Sequence, residues 1–460
     1  MGKIDRKDFL KKISLVTLGF TSFSKLIASK KILDKVLINE NLIKDPNGIL
    51  DLPKGFSYQI ISKYKDKMND SLKVPDHADG MTCFKGSGNN IILIRNHELG
   101  HFPILERTFK TSNPFGKNLS KFIKKNKNKF YDIRDEKVEC FGCTTTIVYD
   151  AKKEKVVNQY LSLAGTLVNC SGGPTPWGTW ISCEETVRRK SGKIAKDHGY
   201  NFEVYPSEKI HLSNPIPLKA MGRFRHEAVA IDPTNKLVYQ TEDRDDGLFY
   251  RFIPNVYKKL SSGGQLQALS IVGFRGKDCT NWKNSSFKIG EKFKVKWIDL
   301  DNVESPDDDL RIRGRNRGCS FFARGEGLWY ADDFVYFTST TGGKERLGQI
   351  WRYQHRPDIN SEGIIELFFE SRSKDVLNMP DNIIVSPWGN LIASEDGKGP
   401  DRLVKINAQG ECLPIAKNAL NNSEFAGTTF SPDNKILFVN IYSPTMTIAI
   451  RGPWESLIDY

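Results

Sequence analysis

The sequence predicts an all-β fold, a six-bladed β-propeller with interblade insertions, from two observations. A unit of strand, turn, strand, loop and strand returns six times along the chain. Such radial repetition is typical of propellers, because blades stacked around a centre leave only short protected edges. Hydrophobic residues make up 39% of the chain and aromatic residues 11%, which fits a globular β protein. We expect residues 52–65 to open the propeller as a strand.

The second strand of the unit carries a recurring acid at its end. In the clearest copy, Thr179 to Ser182 read as a short strand that ends on Cys183, Glu184 and Glu185. Acids end the strand in the copies at 88–98, 169–186, 232–243 and 386–396. The copies at 331–341 and 431–440 keep the turn and the strand but end without an acid.

These acids predict a mixed metal site. The innermost strands of a propeller line its channel, so carboxylates at equivalent places in several blades converge on the axis. So many acids in one site cannot all stay ionised without cations. Oxygen ligands suit hard ions such as calcium, and a thiolate adds a preference for a transition metal. The candidate ligands are Asp79, Glu98, Cys183, Glu184, Glu227, Glu242, Glu326, Asp381 and Glu395.

The N-terminal residues read as an export signal. Basic residues up to Lys12 precede a short apolar segment, and the pattern resembles the twin-arginine consensus with Lys7 in place of the second arginine. The alternative is a basic amphipathic helix. We predict a signal at 1–29, a linker at 30–51 and a single propeller domain at 52–460. No apolar run approaches the length of a membrane span, so stable membrane insertion is not expected.

The remaining charge and cysteine patterns favour neither nucleic-acid binding nor a structural zinc site. The net charge is +13, and part of it lies in the Lys/Asn run at 117–129, which we interpret as a solvated insertion. No nucleic-acid-binding motif accompanies this run. Cys140-x-x-Cys143 has no second pair at zinc spacing, so the sequence does not predict a structural zinc. The segments at 99–139 and 256–318 are expected to be long interblade excursions over one face.

Eight short motifs at the strand ends are specific when taken together. They are Asp79-Gly-Met81, Asn96-His-Glu98, residues 172–185, Arg225-His-Glu-Ala228, Thr241-Glu-Asp-Arg244, Arg324-Gly-Glu-Gly327, Met379-Pro-Asp-Asn382 and Ser394-Glu-Asp-Gly397. With these motifs the chain resembles the PhoX-type alkaline phosphatases from about Leu52 to its end. The resemblance implies a monomeric six-bladed enzyme, exported by the twin-arginine machinery to the periplasm or secreted. It also implies a cofactor of ferric iron and calcium, with Cys183 as the cysteine that bridges the irons.

The expected reaction is hydrolysis of small-molecule phosphomonoesters, in which a metal-activated oxygen attacks phosphorus. Arg324 is the candidate to fork onto phosphate oxygens, against the alternative of a structural salt bridge, and Asn96 is the candidate neutral donor. His97 and His226 are expected to orient neighbouring carboxylates. Two other functions stay open at this point: a calcium-dependent propeller lactonase or phosphotriesterase, and a non-catalytic binding propeller stabilised by calcium.

Overall fold

Antiparallel strands make up almost all of the regular structure, as the sequence pattern predicts. The computed structural model describes residues 42–100, 113–283, 286–358 and 361–457, which belong to one compact unit, Ile38–Tyr460. The predicted export signal at 1–29 lies outside the described residues. No helix in the described part of the chain has the length and apolar character needed to cross a membrane.

Four sheets have the form of propeller blades. The first contains β4 (Ala78–Lys85), β5 (Asn90–His97), β6 (Gly142–Asp150) and β7 (Lys155–Thr166). The second contains β8 (Asn169–Pro174), β9 (Trp180–Glu184) and β10 (Asn201–Val204). The third contains β21 (Pro380–Val385), β22 (Leu391–Glu395), β23 (Arg402–Ile406) and β24 (Cys412–Asn418), and is extended by β2 (Leu50–Pro53) and β1 (Leu42–Ile43). The fourth contains β25 (Phe425–Phe430), β26 (Ile436–Ile441) and β27 (Met446–Arg451), and β3 (Ser57–Lys63) completes it.

The third and fourth sequence repeats share one larger sheet, so the prediction of six separate blades is wrong. This sheet follows the order β11 (His226–Asp232), β12 (Leu237–Glu242), β13 (Gly247–Pro254), β14 (Gly264–Ile271), β15 (Lys292–Asp299), β20 (Ser361–Glu370), β19 (Gln349–Asp358), β18 (Phe334–Ser339) and β17 (Gly325–Ala331). Because β11 also lies beside β17, the sheet is a nearly closed barrel. The short β16 (Phe321–Phe322) pairs with β13.

Strand β15 joins the third and fourth repeats into the barrel. It belongs to the 256–318 segment, which was predicted as an excursion over one face, yet it pairs with β14 on one side and β20 on the other. Val295 and Trp297 of β15 are buried in one apolar cluster with Tyr239, Phe249 and Tyr353 from both repeats. Burial of these large aromatic groups stabilises the joined sheet.

Three further segments contain regular structure that the sequence analysis did not predict. Residues 117–129 contain helix α1 (Leu119–Asn126), because Leu119 and Ile123, four residues apart, bury one helical face while its lysines stay in water. Residues 42–51 of the predicted linker contain β1 and the start of β2. The arginine-rich stretch before β16 forms helix α2 (Leu310–Arg317). Short 3-10 turns lie at Lys127–Lys129, Lys219–Met221, Leu260–Ser262 and Trp454–Leu457.

The first strands of the six repeats, β4, β8, β11, β17, β21 and β25, are neighbours in a closed ring. They approach so closely that a Cβ atom on Gly327 would lie 2.4 Å from the carbonyl oxygen of Asp381, and one on Gly427 would lie 2.4 Å from that of Asp79. Glycine is therefore required at these two contacts. Residues that begin these strands face a common axis.

Candidate metal centre

A β-bulge at the start of the inner strands points side chains at the axis. In five repeats the pairing of the first and second strands shifts directly after the first inner-strand residue. A bulge bends its strand and re-aims the side chain that it leaves unpaired. The residues re-aimed in this way are Asp79, Cys170, Glu227, Glu326 and Asp381.

A second set of side chains comes from the residue that directly follows each second strand. This residue is an acid in four repeats, a tyrosine in the last, and in the fourth repeat Thr340, which is not part of the set. The set consists of Glu98, Glu185, Asp243, Asp396 and Tyr442. Glu424, which precedes β25, is half-buried beside Asp396 and Asp381. We call both sets, with Glu424, Arg225 and Arg324, the axial centre.

Two groups of potential metal ligands within the axial centre share Glu227. Cys170, Glu185 and Glu227 each offer a ligand atom within 4.8 Å of the others, and Glu227, Glu326 and Asp381 do the same. Carboxyl groups also approach one another within hydrogen-bonding range, Glu98 to Glu185 and Asp396 to Glu424. Acids this close must share protons or be separated by cations.

The electrostatics of the axial centre favour bound cations. Burial and then neighbouring acids raise the pKa of Asp79, Glu227, Glu326 and Glu424 well above the usual range. Burial, followed by Asp396, raises the pKa of Asp381 to about 7. Burial and the charge of Glu227 raise the pKa of the Cys170 thiol. Nine carboxyl groups and this thiol surround two arginines, so acidic groups far outnumber basic groups among the described residues of the axial centre.

The two arginines bind carboxylates on one side of the axial centre. Arg324 Nε lies 2.8 Å from Asp243 Oδ1, and its Nη2 contacts Glu326. Glu326 and Asp243 raise the pKa of Arg324, so it remains charged. The backbone of Arg324 has a φ of 51°, and hydrogen bonds to Arg244 and Thr340 hold it there. Arg225 contacts Glu185 and lies 3.8 Å from Asp243. Both side chains are about one-third exposed, 27% and 32%.

The structure brings together five of the predicted ligands, Asp79, Glu98, Glu227, Glu326 and Asp381, along with Arg324. It does not bring Cys183, Glu184, Glu242 or Glu395 to the axis. Successive side chains of a strand point to opposite faces, so in each pair of consecutive acids only the second faces the axis. Cys183 lies in an apolar cluster with Ile181 and Val229, and burial is the main cause of its raised thiol pKa.

The first acid of each pair instead binds nearby backbone and side-chain groups. Glu184 accepts hydrogen bonds from the amides of Leu167 and Gly199. Glu242 accepts one from the Tyr250 hydroxyl at 2.7 Å, and burial raises its pKa to about 7. Glu395 forms a two-point ion pair with Arg402 at 2.6 and 2.8 Å. These three acids stabilise the ends of the strands.

The side-chain amide of Asn96 is hydrogen-bonded at both its nitrogen and its oxygen, so Asn96 has a structural role. Its nitrogen donates to the carbonyl oxygens of Cys170 and Ser171, and its oxygen accepts from Trp180 and Ser182. The same position in other repeats also donates to the carbonyl of an axial residue in the next repeat: Thr241 to Glu326, Thr338 to Asp381 and Asn440 to Asp79. Asn96 therefore belongs to a set of hydrogen bonds that fixes the inner strands.

Neither histidine orients an axial carboxylate through the contacts that the structure shows. His97 lies 2.9 Å from the carbonyl of Asp76 and from the hydroxyl of Thr145. His226 Nε2 lies 3.0 Å from the carbonyl of Gly222. Burial lowers the pKa of both rings, to about 3 for His226, so both are neutral.

A signal in the sequence could have identified the second acid of each pair. In the first repeat the positions equivalent to Glu184 and Glu185 are His97 and Glu98. Of the two positions, only the one equivalent to Glu185 is therefore acidic in all four copies. Aligning the copies on that position selects the acids of the axial centre, whereas aligning them on the first places His97 among glutamates. The axial residues that the sequence analysis did not select as site residues are Cys170, Glu185, Arg225, Asp243, Asp396, Glu424 and Tyr442.

The fold and the axial centre define a propeller-like β protein that carries a buried, acid-rich cation site on its axis. Comparison of the sequence with family models gives a match to alkaline phosphatase PhoX over residues 37–445. The chain belongs to this family and is a phosphoric monoester hydrolase. Comparison with curated protein sequences gives no match.

Solved structures with a similar fold include PhoX of Pseudomonas fluorescens in complex with vanadate, a transition state analogue. It is 18% identical, with a TM-score of 0.64 over 88% of this chain and 96% of that one. A protein of unknown function from Dyadobacter fermentans is 8% identical, with a TM-score of 0.46 over 87% and 100% of the two chains. A gluconolactonase from Xanthomonas campestris is 9% identical, with a TM-score of 0.42 over 87% and 96%. The first of these likenesses supports the fold.

Proposed function

We propose that this phosphatase depends on metal ions held in the axial centre, and that these ions are ferric iron and calcium. The observation that carries the proposal is the excess of buried carboxylates around Cys170, Arg225 and Arg324. A site with this net charge stays ionised at neutral pH only when cations are bound. The family match supports phosphomonoesters as substrates, with release of inorganic phosphate.

The donor set fits both kinds of ion. Oxygen ligands in number suit calcium, which accepts six to eight of them. Cys170 adds one soft thiolate, which calcium does not require and iron accepts. We therefore assign iron to the group around Cys170, Glu185 and Glu227, and calcium to the acids on the remaining side of the axis.

Held by Cys170 and the axial acids, the ions would supply polarisation of phosphate oxygens and a nucleophile from water near neutral pH. The residues of the chain have separate tasks. Arg324 is partly exposed and planar, and after giving up one carboxylate contact it can donate two parallel hydrogen bonds to a phosphate. Arg225 offers a second positive charge on the same side. Glu185 and Asp243 hold the two guanidinium groups in place until the substrate binds.

Tyr442 is the candidate for a neutral hydrogen-bond donor that orients the acids of the axial centre. Its hydroxyl donates to Glu98 and lies 2.5 Å from His77 Nδ1. Burial and Glu98 raise the pKa of Tyr442 well above its usual range, so the hydroxyl keeps its proton. Because it is a neutral donor on the axis, it fits the role that the sequence analysis gave to Asn96.

Two other functions make different predictions about the ions. A propeller lactonase or phosphotriesterase of the calcium type requires calcium alone, and Cys170 in a ligand group favours the mixed site. A non-catalytic propeller requires metal for folding but hydrolyses no ester. The family match favours the phosphatase over both.

The proposal extends to the state of the mature protein. The basic and apolar N-terminal sequence supports export by the twin-arginine route, to the periplasm or the medium. That route carries folded proteins, which suits a buried centre that must be filled during folding. We propose a monomer, as the family resemblance implies.

Elemental analysis joined to an assay tests the proposal. Protein purified without added metal should contain iron and calcium and should hydrolyse p-nitrophenyl phosphate. Removal of metal with a chelator should abolish turnover, and calcium should restore it where magnesium does not. Glu227→Gln changes a shared ligand and should lose both metals, whereas Glu411→Gln, on an exposed turn, is the matched control. Full turnover after complete metal removal would overturn the proposal.

A further inference from the structure

We propose that Asp132, Cys140 and His198 form a zinc site separate from the axial centre. Each residue offers a ligand atom within 4.8 Å of the other two, and all three side chains are buried. Asp132 and Cys140 come from the segment between α1 and β6, and His198 comes from the loop between β9 and β10. We call these residues the Cys140 cluster.

The imidazole of His198 is oriented for metal binding. Its Nδ1 lies 2.6 Å from Glu184 Oε1, and amides of Leu167 and Gly199 hold that carboxylate in place. A proton on Nδ1 leaves the lone pair of Nε2 directed at Asp132 and Cys140. Metal-binding histidines characteristically donate their other ring N–H to a carboxylate in this way. Glu184, which does not face the axis, thus orients His198 for metal binding.

Two distances within the Cys140 cluster match the separations between zinc ligands. Nε2 of His198 lies 3.3 Å from Asp132 Oδ2 and 3.6 Å from Cys140 Sγ. Tetrahedral zinc with its usual bond lengths separates nitrogen from oxygen by about 3.3 Å and nitrogen from sulfur by about 3.5 Å. A direct N–H···O hydrogen bond is shorter, about 2.9 Å. The cluster has the spacing of ligands around an ion.

The chemistry of the Cys140 cluster is also that of zinc. One thiolate, one imidazole and one carboxylate combine soft and borderline ligands, and two negative charges offset a divalent ion. The amides of Ala195 and Lys196 donate to Asp132 Oδ2 at 2.9 and 2.8 Å and fix the carboxylate. The fourth position is left to a small ligand such as water. No short sequence motif marks this site, because its ligands are separated by up to 66 residues.

A bound zinc ion joins the segment before β6 to the loop after β9, close to the strand end that leads into the axial centre. Glu184 is the direct neighbour of Glu185, so fixing His198 and Glu184 also fixes the strand end that delivers Glu185 to the axis. The alternative state of the Cys140 cluster is a protonated His198 held between Asp132 and Glu184, with Cys140 as a thiol. That state binds no metal, so zinc content separates the two.

Zinc binding by the full chain tests the inference. The protein is incubated with zinc, freed of excess by gel filtration, and analysed by elemental analysis in four forms: wild type, Cys140→Ala, Cys143→Ala and Cys170→Ala. We expect Cys140→Ala to hold about one zinc ion fewer than wild type, and Cys143→Ala, its matched control in the same C-x-x-C stretch, to hold the same amount. Equal zinc in Cys140→Ala and wild type would overturn the inference.

X-ray absorption of zinc in Cys170→Ala provides a measurement that does not require Cys140→Ala to fold. This variant lacks the thiol of the axial centre. Its zinc should still show one sulfur neighbour at about 2.3 Å. Zinc with oxygen and nitrogen neighbours alone would overturn the zinc site. The proposed function is tested independently, because loss of phosphatase activity in Cys170→Ala with zinc retained leaves the Cys140 cluster unaffected.

Discussion

Glu184 and Glu185 are adjacent in the chain, but their carboxylates lie in different environments. Glu184 Oε1 lies 2.6 Å from His198 Nδ1 within a buried hydrogen-bond network. Glu185 contacts Arg225 and faces Cys170 and Glu227 at the axis. The end of β9 directs one side chain into the fold and the next into the axial centre.

Amide substitution should separate the two roles. Glu184→Gln removes the charge that the amides of Leu167 and Gly199 and the ring of His198 bind, so we expect a loss of about 2–3 kcal/mol in the free energy of unfolding. Glu185→Gln removes one of several repelling carboxylates, so the metal-free protein should be as stable as wild type or more stable. Its phosphatase activity should fall at least tenfold. Urea unfolding and initial rates measure both effects, and the reverse pattern would contradict the assignment.

The two buried cysteines of this region provide a second test. We expect Cys170→Ala to lose iron and at least 100-fold in activity, because Cys170 is the thiol of a ligand group. Cys183→Ala removes an atom from an apolar cluster, so it should keep its metals and most of its activity and lose about 1 kcal/mol of stability. Metal analysis and turnover of p-nitrophenyl phosphate distinguish the two. Loss of iron in Cys183→Ala alone would restore the role that the resemblance gave to Cys183.

The repeat of strand, turn and strand could be recognised in the sequence, because each buried strand requires a run of apolar residues. Apolar strands separated by Pro/Gly turns recur at 176–185 and 386–396, and both form the second strand of a sheet. The barrel was not visible, because the pairing of β15 with β20 joins residues about 70 positions apart through no local motif. The residues of the axial centre could be predicted only in part. A pair of acids at a strand end indicates a site, but whether Glu184 or Glu185 faces the axis depends on where the strand ends. A shift of one residue turns the other side chain toward the axis.

Arg324 should have a larger effect on catalysis than on stability. Arg324→Ala removes a forked donor and a positive charge, so kcat should fall about 100- to 1000-fold. Arg324→Lys keeps the charge but loses the fork, so its activity should lie between the two. Arg313→Ala is the control, because Arg313 pairs with Asp301 and Asp309 away from the axis. Steady-state kinetics are sufficient, and a variant changed only in KM would show that Arg324 binds substrate without stabilising the transition state.

Asp401 should make the protein less stable as the pH rises. Burial raises its pKa from 3.8 to about 8. Its Oδ1 accepts a hydrogen bond from Gly397, while its buried Oδ2 has no hydrogen-bond partner among the described residues. Between pH 4 and pH 8 the folded state holds a proton on this group that the unfolded state has released. Stability therefore falls as the pH rises through this range, and the full penalty remains above pH 8.

Asp401→Asn removes this titration and places an amide where the charge was. We expect it to raise the free energy of unfolding at pH 9 by about 1–3 kcal/mol and to have little effect at pH 4. Thermal unfolding at a series of pH values measures the difference. Asp301→Asn, at an exposed acid whose pKa is lowered by Arg317, should show no gain at alkaline pH. An equal effect of Asp401→Asn at both pH values would mean that Asp401 is ionised in the folded protein throughout, because only a proton bound in the folded state makes the gain depend on pH.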